Sequence, residues 1–297
     1  MSSADGTTPV VSVIIVTWNS AGVVPLCIQS IIDGPPTLPW EAVIVDNGSA
    51  DDTVDVVRDL SPHVRVIANA SNRGLAAANN QGMLAAAGDY FVISNPDVVY
   101  ARGAIDALVD LLDRRPEAAF AFAGLHHPDG RVQTCTGDLP TLGEAFLGRA
   151  ARLRRPDPRR QGFWWHGWDH ATEVPIGHGG EACYATRRAT VARLGLQDER
   201  FRLDWEGIDW TARAAELGWQ AWFCPEASVV HMGGASIRRA PWRWIASTHR
   251  GMYRYFADRS SPAARPLLAV AVAGRALAKA TGSLAGVAGY DAAHDRA

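Results

Sequence analysis

The chain has 297 residues, 47% of them hydrophobic, and a formal net charge of −2. That length and apolar content can bury a sizeable core, as one large α/β domain with elaborations or as two small domains. The near-neutral balance argues against nucleic acid as a default partner.

Cys27, Cys135, Cys183 and Cys224 are widely separated and form no C-x-x-C pair. This disfavours a disulfide framework or thiolate zinc site and fits a reducing compartment. The opening MSSADGTTPV has neither the basic nor the apolar region of a signal peptide, and Leu267 to Gly289 is broken by Arg275 and Lys279. No membrane-spanning helix is expected, and the expected location is cytoplasmic.

In chain order, Val10 to Val16 is a β-branched run, followed by a polar turn at Thr17 to Ser20 and a helical pattern from Val23 to Ile32. Glu41 to Val45 predicts a second strand, ending at Asp46-Asn47-Gly48-Ser49, with a helix from about Asp52 to Leu60. Val64 to Ala68 is a third strand, and Asn72-Arg73-Gly74 opens a helix from Leu75 to Ala87. Tyr90 to Ser94 is a fourth strand, delivering Asn95-Pro96-Asp97, with a helix from Gly103 to Arg114. Strands alternating with helices imply a mostly parallel, Rossmann-like sheet flanked by helices. Ligands of such sheets bind beyond the carboxyl ends of the strands, where these polar turns gather.

The pattern breaks after Phe120. Arg149 to Arg160 holds six arginines and two prolines, and Trp164, Trp165 and Trp168 follow closely. Regularity returns with a strand at Ala182 to Thr186, then helices at Arg188 to Leu194 and from about Glu206 to Leu217. Strand-like pieces lie at Gln220 to Cys224 and Ser228 to Val230, then helices at Trp242 to Phe256 and Ala264 to Ala280.

The chain lacks both the G-x-x-x-x-G-K-[ST] phosphate loop and a G-x-G-x-x-G after a strand. What remains is a site of carboxylates and amides, suited to a nucleoside diphosphate with a metal. Asp97 at a strand end offers oxygen to Mg²⁺ or Mn²⁺, although Asn-Pro-Asp is also an ordinary turn. Asp46 can accept a hydrogen bond from a nucleobase N–H, or simply end its strand. The small residues from Gly74 to Asn79 open a helix whose N-terminus can approach a diphosphate, or can serve close packing. Glu206 and Asp209 share a helix face near its start, as a general base or as charges complementing the helix dipole. His231 follows the apolar Ser228 to Val230 as a second metal ligand or a structural histidine.

In this order the motifs resemble those of the family-2 glycosyltransferases, inverting enzymes of GT-A fold, from Val11 to about Arg259. VSVIIVTWNS, VIVDNGSADDT, NRGLAAANNQG and ISNPDV resemble the family's nucleotide-binding half. DERFRLDWEGIDWTARAAELGW and PEASVVHMGGAS resemble its acceptor half, and HRGMYRYFADR its bacterial rhamnosyltransferase branch.

The resemblance implies a GT-A domain over residues 9–260, with a nucleotide half at 9–124, an acceptor half at 125–260 and a C-terminal helical extension at 261–297. Thr17, Asn19 and Asp46 would contact the nucleoside, and Asn72, Gly74 and Asn79 would line its site. Asp97 matches the last carboxylate of the family's D-x-D, so it would carry the Mg²⁺ or Mn²⁺ with His231. Where the family has consecutive acids, the second being the base, this chain has Glu206-Gly207, so Glu206 or Asp209 would have to substitute.

The implied reaction moves a sugar, rhamnose by the branch resemblance, from a nucleotide-diphospho-sugar to a glycan or lipid-linked hydroxyl in cell-wall or surface-polysaccharide synthesis. The alternatives are a catalytically silent sugar-nucleotide-binding protein and a nucleotidyltransferase. The tryptophans are read as sugar-stacking or core residues, and the arginine-rich segment as a lipid-diphosphate or peripheral membrane contact or a solvated loop. The last helix is read as lying on a membrane or packing on a domain or second subunit of a homo-oligomer.

Overall fold

The computed structural model describes residues 8–58, 60–147, 162–165, 167–233 and 241–284. Nine strands of the described residues form one sheet, and its first four strands fall where the hydrophobic runs place them. These are β1 (Val11–Thr17), β2 (Trp40–Asp46), β3 (Val64–Ala68) and β4 (Tyr90–Ser94), parallel in the order β3-β2-β1-β4. β1 is buried along its whole length, as a strand covered on both faces must be. The connecting helices are α1 (Val24–Asp33), α2 (Thr53–Arg58) and α3 (Leu75–Ala85).

Helix α3 has small residues because it lies close to the sheet. A Cβ on Gly82 would come within 2.4 Å of Ile14 Cγ2. Filling that gap would overpack the seam, at a cost of about 1–3 kcal/mol.

Beyond β4 the chain adds β5 (Val98–Tyr100), α4 (Ala104–Arg114), β6 (Ala118–His126), β7 (Thr136–Gly137) and α5 (Leu142–Leu147). Next come β8 (Val174–Ile176), β9 (His178–Gly179), β10 (Cys183–Arg187), α6 (Arg188–Leu194), α7 (Glu206–Glu216) and β11 (Gln220–His231). The sheet continues as β4-β10-β6-β11-β5, with β8 also on β11, while β7 and β9 form a separate pair. β10 runs antiparallel to both β4 and β6, so the parallel half passes into the mixed half at the β4–β10 seam. The sequence break after Phe120 is therefore corrected: β6 continues to His126, its alanines buried between β10 and β11. The two strand-like pieces after Leu217 are one strand with a register shift between Cys224 and Ser228.

Helices α8 (Pro241–Asp258) and α9 (Arg265–Leu284) follow. The larger apolar cluster fills the space around the sheet. A second cluster joins Phe201, Trp205 and Ile208 near the start of α7 to Tyr255 and Phe256 of α8 and Leu268 and Val272 of α9. One face of the last helix thus packs near the start of α7 and on α8, while Leu267, Val270 and Leu277 stay exposed. No helix among the described residues is long and apolar enough to cross a membrane. The arginine-rich segment Arg149 to Arg160 lies outside the described residues.

Candidate active site

The strand ends of the parallel half meet as the sequence suggests. Thr17 and Asp46 are register partners across β1 and β2, and Thr17 Oγ1 donates to Asp46 Oδ1 at 3.0 Å. Asp46 is only 2% exposed, and its Oδ2 accepts the Ser49 N–H at 2.9 Å. A carboxylate has about four lone-pair sites, so acceptor capacity remains after these bonds. Asn19 takes a left-handed backbone, φ 51°, and its Oδ1 accepts the Ala50 N–H at 2.8 Å, tying the first two strand-end loops together. Asn47, which sequence reasoning passed over, ties in the third. Its side chain donates to the Gly74 carbonyl at 3.2 Å and accepts the Arg73 N–H at 2.9 Å.

Two nucleotide-side candidates have other partners. Asn79 is buried inside the fold and donates to Gln197 Oε1 at 3.1 Å, so it packs α3 on the segment between α6 and α7 and does not line an open site. At the α3 N-terminus the Gly74 N–H is taken by Asn72 Oδ1 at 2.9 Å and the Leu75 N–H by the Arg202 carbonyl at 2.8 Å. Gly74 has φ 94°, and a Cβ there would lie 3.1 Å from Arg202 Cα. That glycine serves close approach of the Arg202 segment, and two of the N–H groups at this helix end are already taken within the protein.

Asp97 and His231 do come together. They flank the short antiparallel pairing of β5 with β11, in which His231 is the partner of Val98, and the Met232 N–H donates to the Asp97 carbonyl at 3.0 Å. His231 Nε2 stands 3.5 Å from Asp97 Oδ1, with both side chains partly open to solvent. Burial alone would raise the Asp97 carboxyl, but the hydrogen bond and charge of His231 and nearby backbone N–H groups outweigh it and hold it below its ordinary value.

Gln133, another residue the sequence did not flag, sets the imidazole. Its Nε2 donates to the His231 carbonyl at 2.7 Å, which turns Oε1 toward His231 Nδ1 at 3.0 Å. Nδ1 then donates to Gln133, and Nε2 is the nitrogen on the Asp97 side, where it can donate to the carboxylate or, without its proton, ligate a metal. One carboxylate and one imidazole make a partial shell suited to Mn²⁺ or Mg²⁺ that also takes phosphate oxygens and water. Among the described residues no group of three or more such ligands gathers.

On the acceptor side α7 begins from a strained turn. Asp204 and Trp205 both have positive φ, 64° and 73°, which costs energy in non-glycine residues. Packing holds them there: the Trp205 ring stacks on Phe163 at 6.1 Å and meets Tyr255 at 5.4 Å, and Thr248 Oγ1 donates to Asp204.

The turn delivers Glu206 inward. It is 1% exposed, and neither carboxyl oxygen has a donor partner. Burial first, then the charges of Glu181 and Asp204, push its carboxyl well above the ordinary range, so it holds its proton. Asp209 is 5% exposed and accepts from Arg213 Nε at 3.0 Å and from Arg259 Nη1 at 2.9 Å. The geometry therefore gives Asp209 a structural ion-pair role in place of the base role considered from sequence.

The tryptophans also pack inward. Trp165 is buried edge-on to Trp168 at 5.2 Å, and Trp168 meets Phe223 at 5.0 Å, so these two serve the core and not a sugar. Trp164 leans on Phe163 and His178.

A parallel sheet extended by antiparallel strands, with polar strand ends on one side and a carboxylate-bearing helix on the other, is the GT-A glycosyltransferase architecture. A mannosyltransferase from Pyrobaculum calidifontis, solved in complex with GDP-Man and Mn²⁺, superposes with a TM-score of 0.57 at 20% identity, covering 96% of this chain and 78% of that one. GalNAc-T7, solved with UDP, GalNAc and Mn²⁺, also gives 0.57, at 17% identity over 75% of this chain and 43% of its own. Residues 12–166 match the model for glycosyl transferase family 2, and the chain belongs to that family. An N-acetylglucosaminyl-diphospho-decaprenol L-rhamnosyltransferase of Mycobacterium tuberculosis is 30% identical over 247 residues, 75% of this chain and 76% of that protein. A PGL/p-HBAD biosynthesis glycosyltransferase of Mycobacterium bovis is 32% identical over 127 residues, 42% of this chain and 45% of its own.

Proposed function

We propose that this glycosyltransferase moves a sugar, rhamnose by its likeness to the mycobacterial enzyme, from a nucleoside-diphosphate donor to a hydroxyl of a lipid-linked glycan in cell-envelope synthesis. Thr17, Asn19 and Asp46 hold the nucleoside, and Asn72 belongs to the same cluster through its bond to Asn47 at 3.3 Å. Asp97 and His231 would hold a divalent ion. When bound, that ion supplies Lewis-acid neutralisation of the leaving group. The acceptor hydroxyl attacks the anomeric carbon opposite the diphosphate and gives its proton to a carboxylate of the acceptor side. A single displacement inverts the configuration and needs no protein nucleophile.

The observation that carries this reading is the Asp97–His231 pair, fixed by backbone pairing beside the strand ends. Gly207, in place of a second acid, is the one feature that favours a silent binding protein.

Calorimetry of nucleoside diphosphates with Mn²⁺, followed by product analysis with nucleotide sugars and a prenyl-diphosphate-linked N-acetylglucosamine, tests the reading. The expected result is selective, Mn²⁺-dependent donor binding that Asp97→Ala abolishes without unfolding, and products of glycoside plus nucleoside diphosphate. Undiminished Mn²⁺-dependent binding by Asp97→Ala would remove Asp97 from the site, and pyrophosphate as product would make the protein a nucleotidyltransferase.

A further inference from the structure

A base for an acceptor hydroxyl needs access to solvent, a carboxylate not committed to a permanent partner, and ionisation near neutral pH. Around the start of α7, Asp209 fails by its two arginines. Glu206 fails by being sealed and protonated. Asp204 is committed to the Thr248 hydroxyl and to Trp244. Glu181, which the sequence did not single out, meets all three conditions.

Glu181 precedes β10 and is partly exposed. Its carboxyl occupies the space that a side chain at Gly207 would fill: a Cβ built there would lie 2.5 Å from Glu181 Cδ and 2.8 Å from Oε1. Glycine at 207 is thus what lets the Glu181 carboxyl reach the first turn of α7, where the Gly207 and Ile208 N–H groups face it. Its next neighbour, Ala182, accepts the Asn95 N–H at 2.9 Å, so Glu181 sits at the seam that carries the Asn95-Pro96-Asp97 loop.

We propose that Glu181 is the general base of the transfer, a carboxylate supplied from the start of β10 in the place that residue 207 leaves empty. This rests on the glycosyltransferase reading above. In the step, Glu181 accepts the acceptor O–H proton as the oxygen forms its bond to the anomeric carbon. The anomeric carbon–oxygen bond to the diphosphate breaks, and its electron pair leaves with the nucleoside diphosphate.

Burial, then the charge of Asp204, raise the Glu181 carboxyl to about 7. The neighbouring Gly207 and Ile208 N–H groups limit that rise. Tyr184, on the same strand, is pushed far above its ordinary value by burial and stays neutral; Lys279 of α9 acts on Asp204.

The test combines turnover with a thermal cycle on the full-length protein. Glu181→Gln should lower kcat by about 10²–10⁴ with donor affinity kept, and should abolish the acidic limb of the pH–rate profile near 7. Gly207→Asp should lower both melting temperature and turnover in the wild-type background, because it collides with Glu181. On the Glu181→Ala background the same change should be tolerated thermally and should raise turnover at least about tenfold over Glu181→Ala alone, a fraction of what a positioned base is worth.

Full turnover by Glu181→Gln, or loss confined to Glu206→Gln, would overturn the assignment. Equal thermal effects of Gly207→Asp in both backgrounds would overturn its geometric basis without any assay of transfer. A wild type that turns over no donor removes the glycosyltransfer reading and the base with it. Turnover by the wild type that survives Glu181→Gln removes the base alone.

Discussion

Asp209→Asn separates two uses of one carboxylate. The side chain is 7% exposed, and its two oxygens pair with Arg213 and Arg259, whose side chains are 27% and 25% exposed. Asparagine keeps the shape and removes the charge, leaving two guanidiniums without their shared counter-ion. Breaking a fully buried pair costs about 3–5 kcal/mol. Partly wetted guanidiniums recover some of that from water, which leaves about 2–3 kcal/mol. In a domain of this size each kcal/mol moves the melting temperature by about 2–4 °C, so a fall of about 4–12 °C is expected.

Arg213 also donates to the Leu194 and Leu196 carbonyls at 3.2 and 2.8 Å, so the loosening should spread from α7 to the segment after α6. Differential scanning calorimetry gives the melt, and turnover well below it gives the chemistry, which should be largely kept. An unchanged melt together with a turnover loss of about 10² or more would refute the argument and make Asp209 the base.

The Glu181–Glu206 pair should make stability depend on pH. Because the folded-state pKa of Glu181 is raised to about 7, its favourable protonated contribution is present at about pH 4.5 and lost as pH rises through 7. For Glu181 alone the full swing is roughly 3 kcal/mol. Urea titrations at pH 5 and 8 should show it, and a Glu181→Gln protein with the same pH slope as wild type would contradict it. Gln133→Leu removes the acceptor that sets the His231 tautomer, so Mn²⁺ affinity should fall by about 10–100-fold while donor-free stability changes little. Unchanged affinity by calorimetry would mean that His231 is not a ligand.

How much was legible varies along the chain for physical reasons. β1 to β4 stand out because long β-branched runs alternate with helical segments, and the polar residues at their ends had nowhere to go but one edge. Thr17 and Asp46 follow directly from that. β5 was hidden because three residues after Asn-Pro-Asp read as part of a turn. β6 was cut short because Ala118 to Gly124 is rich in weak strand formers, which only the neighbours on both sides make into a strand. Pro225 and the register shift split β11 in the reading.

Asp209 was half legible: Arg213 lies four residues on and was in view, but Arg259 arrives from α8. The proximity of Glu181 to Gly207, and of Gln133 to His231, comes from strand pairing between distant segments. No local pattern announces it, although a glutamate placed directly before an apolar strand was the available hint.

The β4–β10 seam has a mechanical meaning. Arg187 pairs with Tyr90 and Cys183 with Ser94, so a continuous ladder welds the parallel half of the sheet to the mixed half. Hinged enzymes close over their substrates by bending a few residues between two bodies. Here that route would require tearing backbone hydrogen bonds at the middle of the sheet. Under the proposed function, the spacing between a donor held at Asp97 and the carboxylate at Glu181 would be set by this sheet as the protein folds, before either substrate arrives.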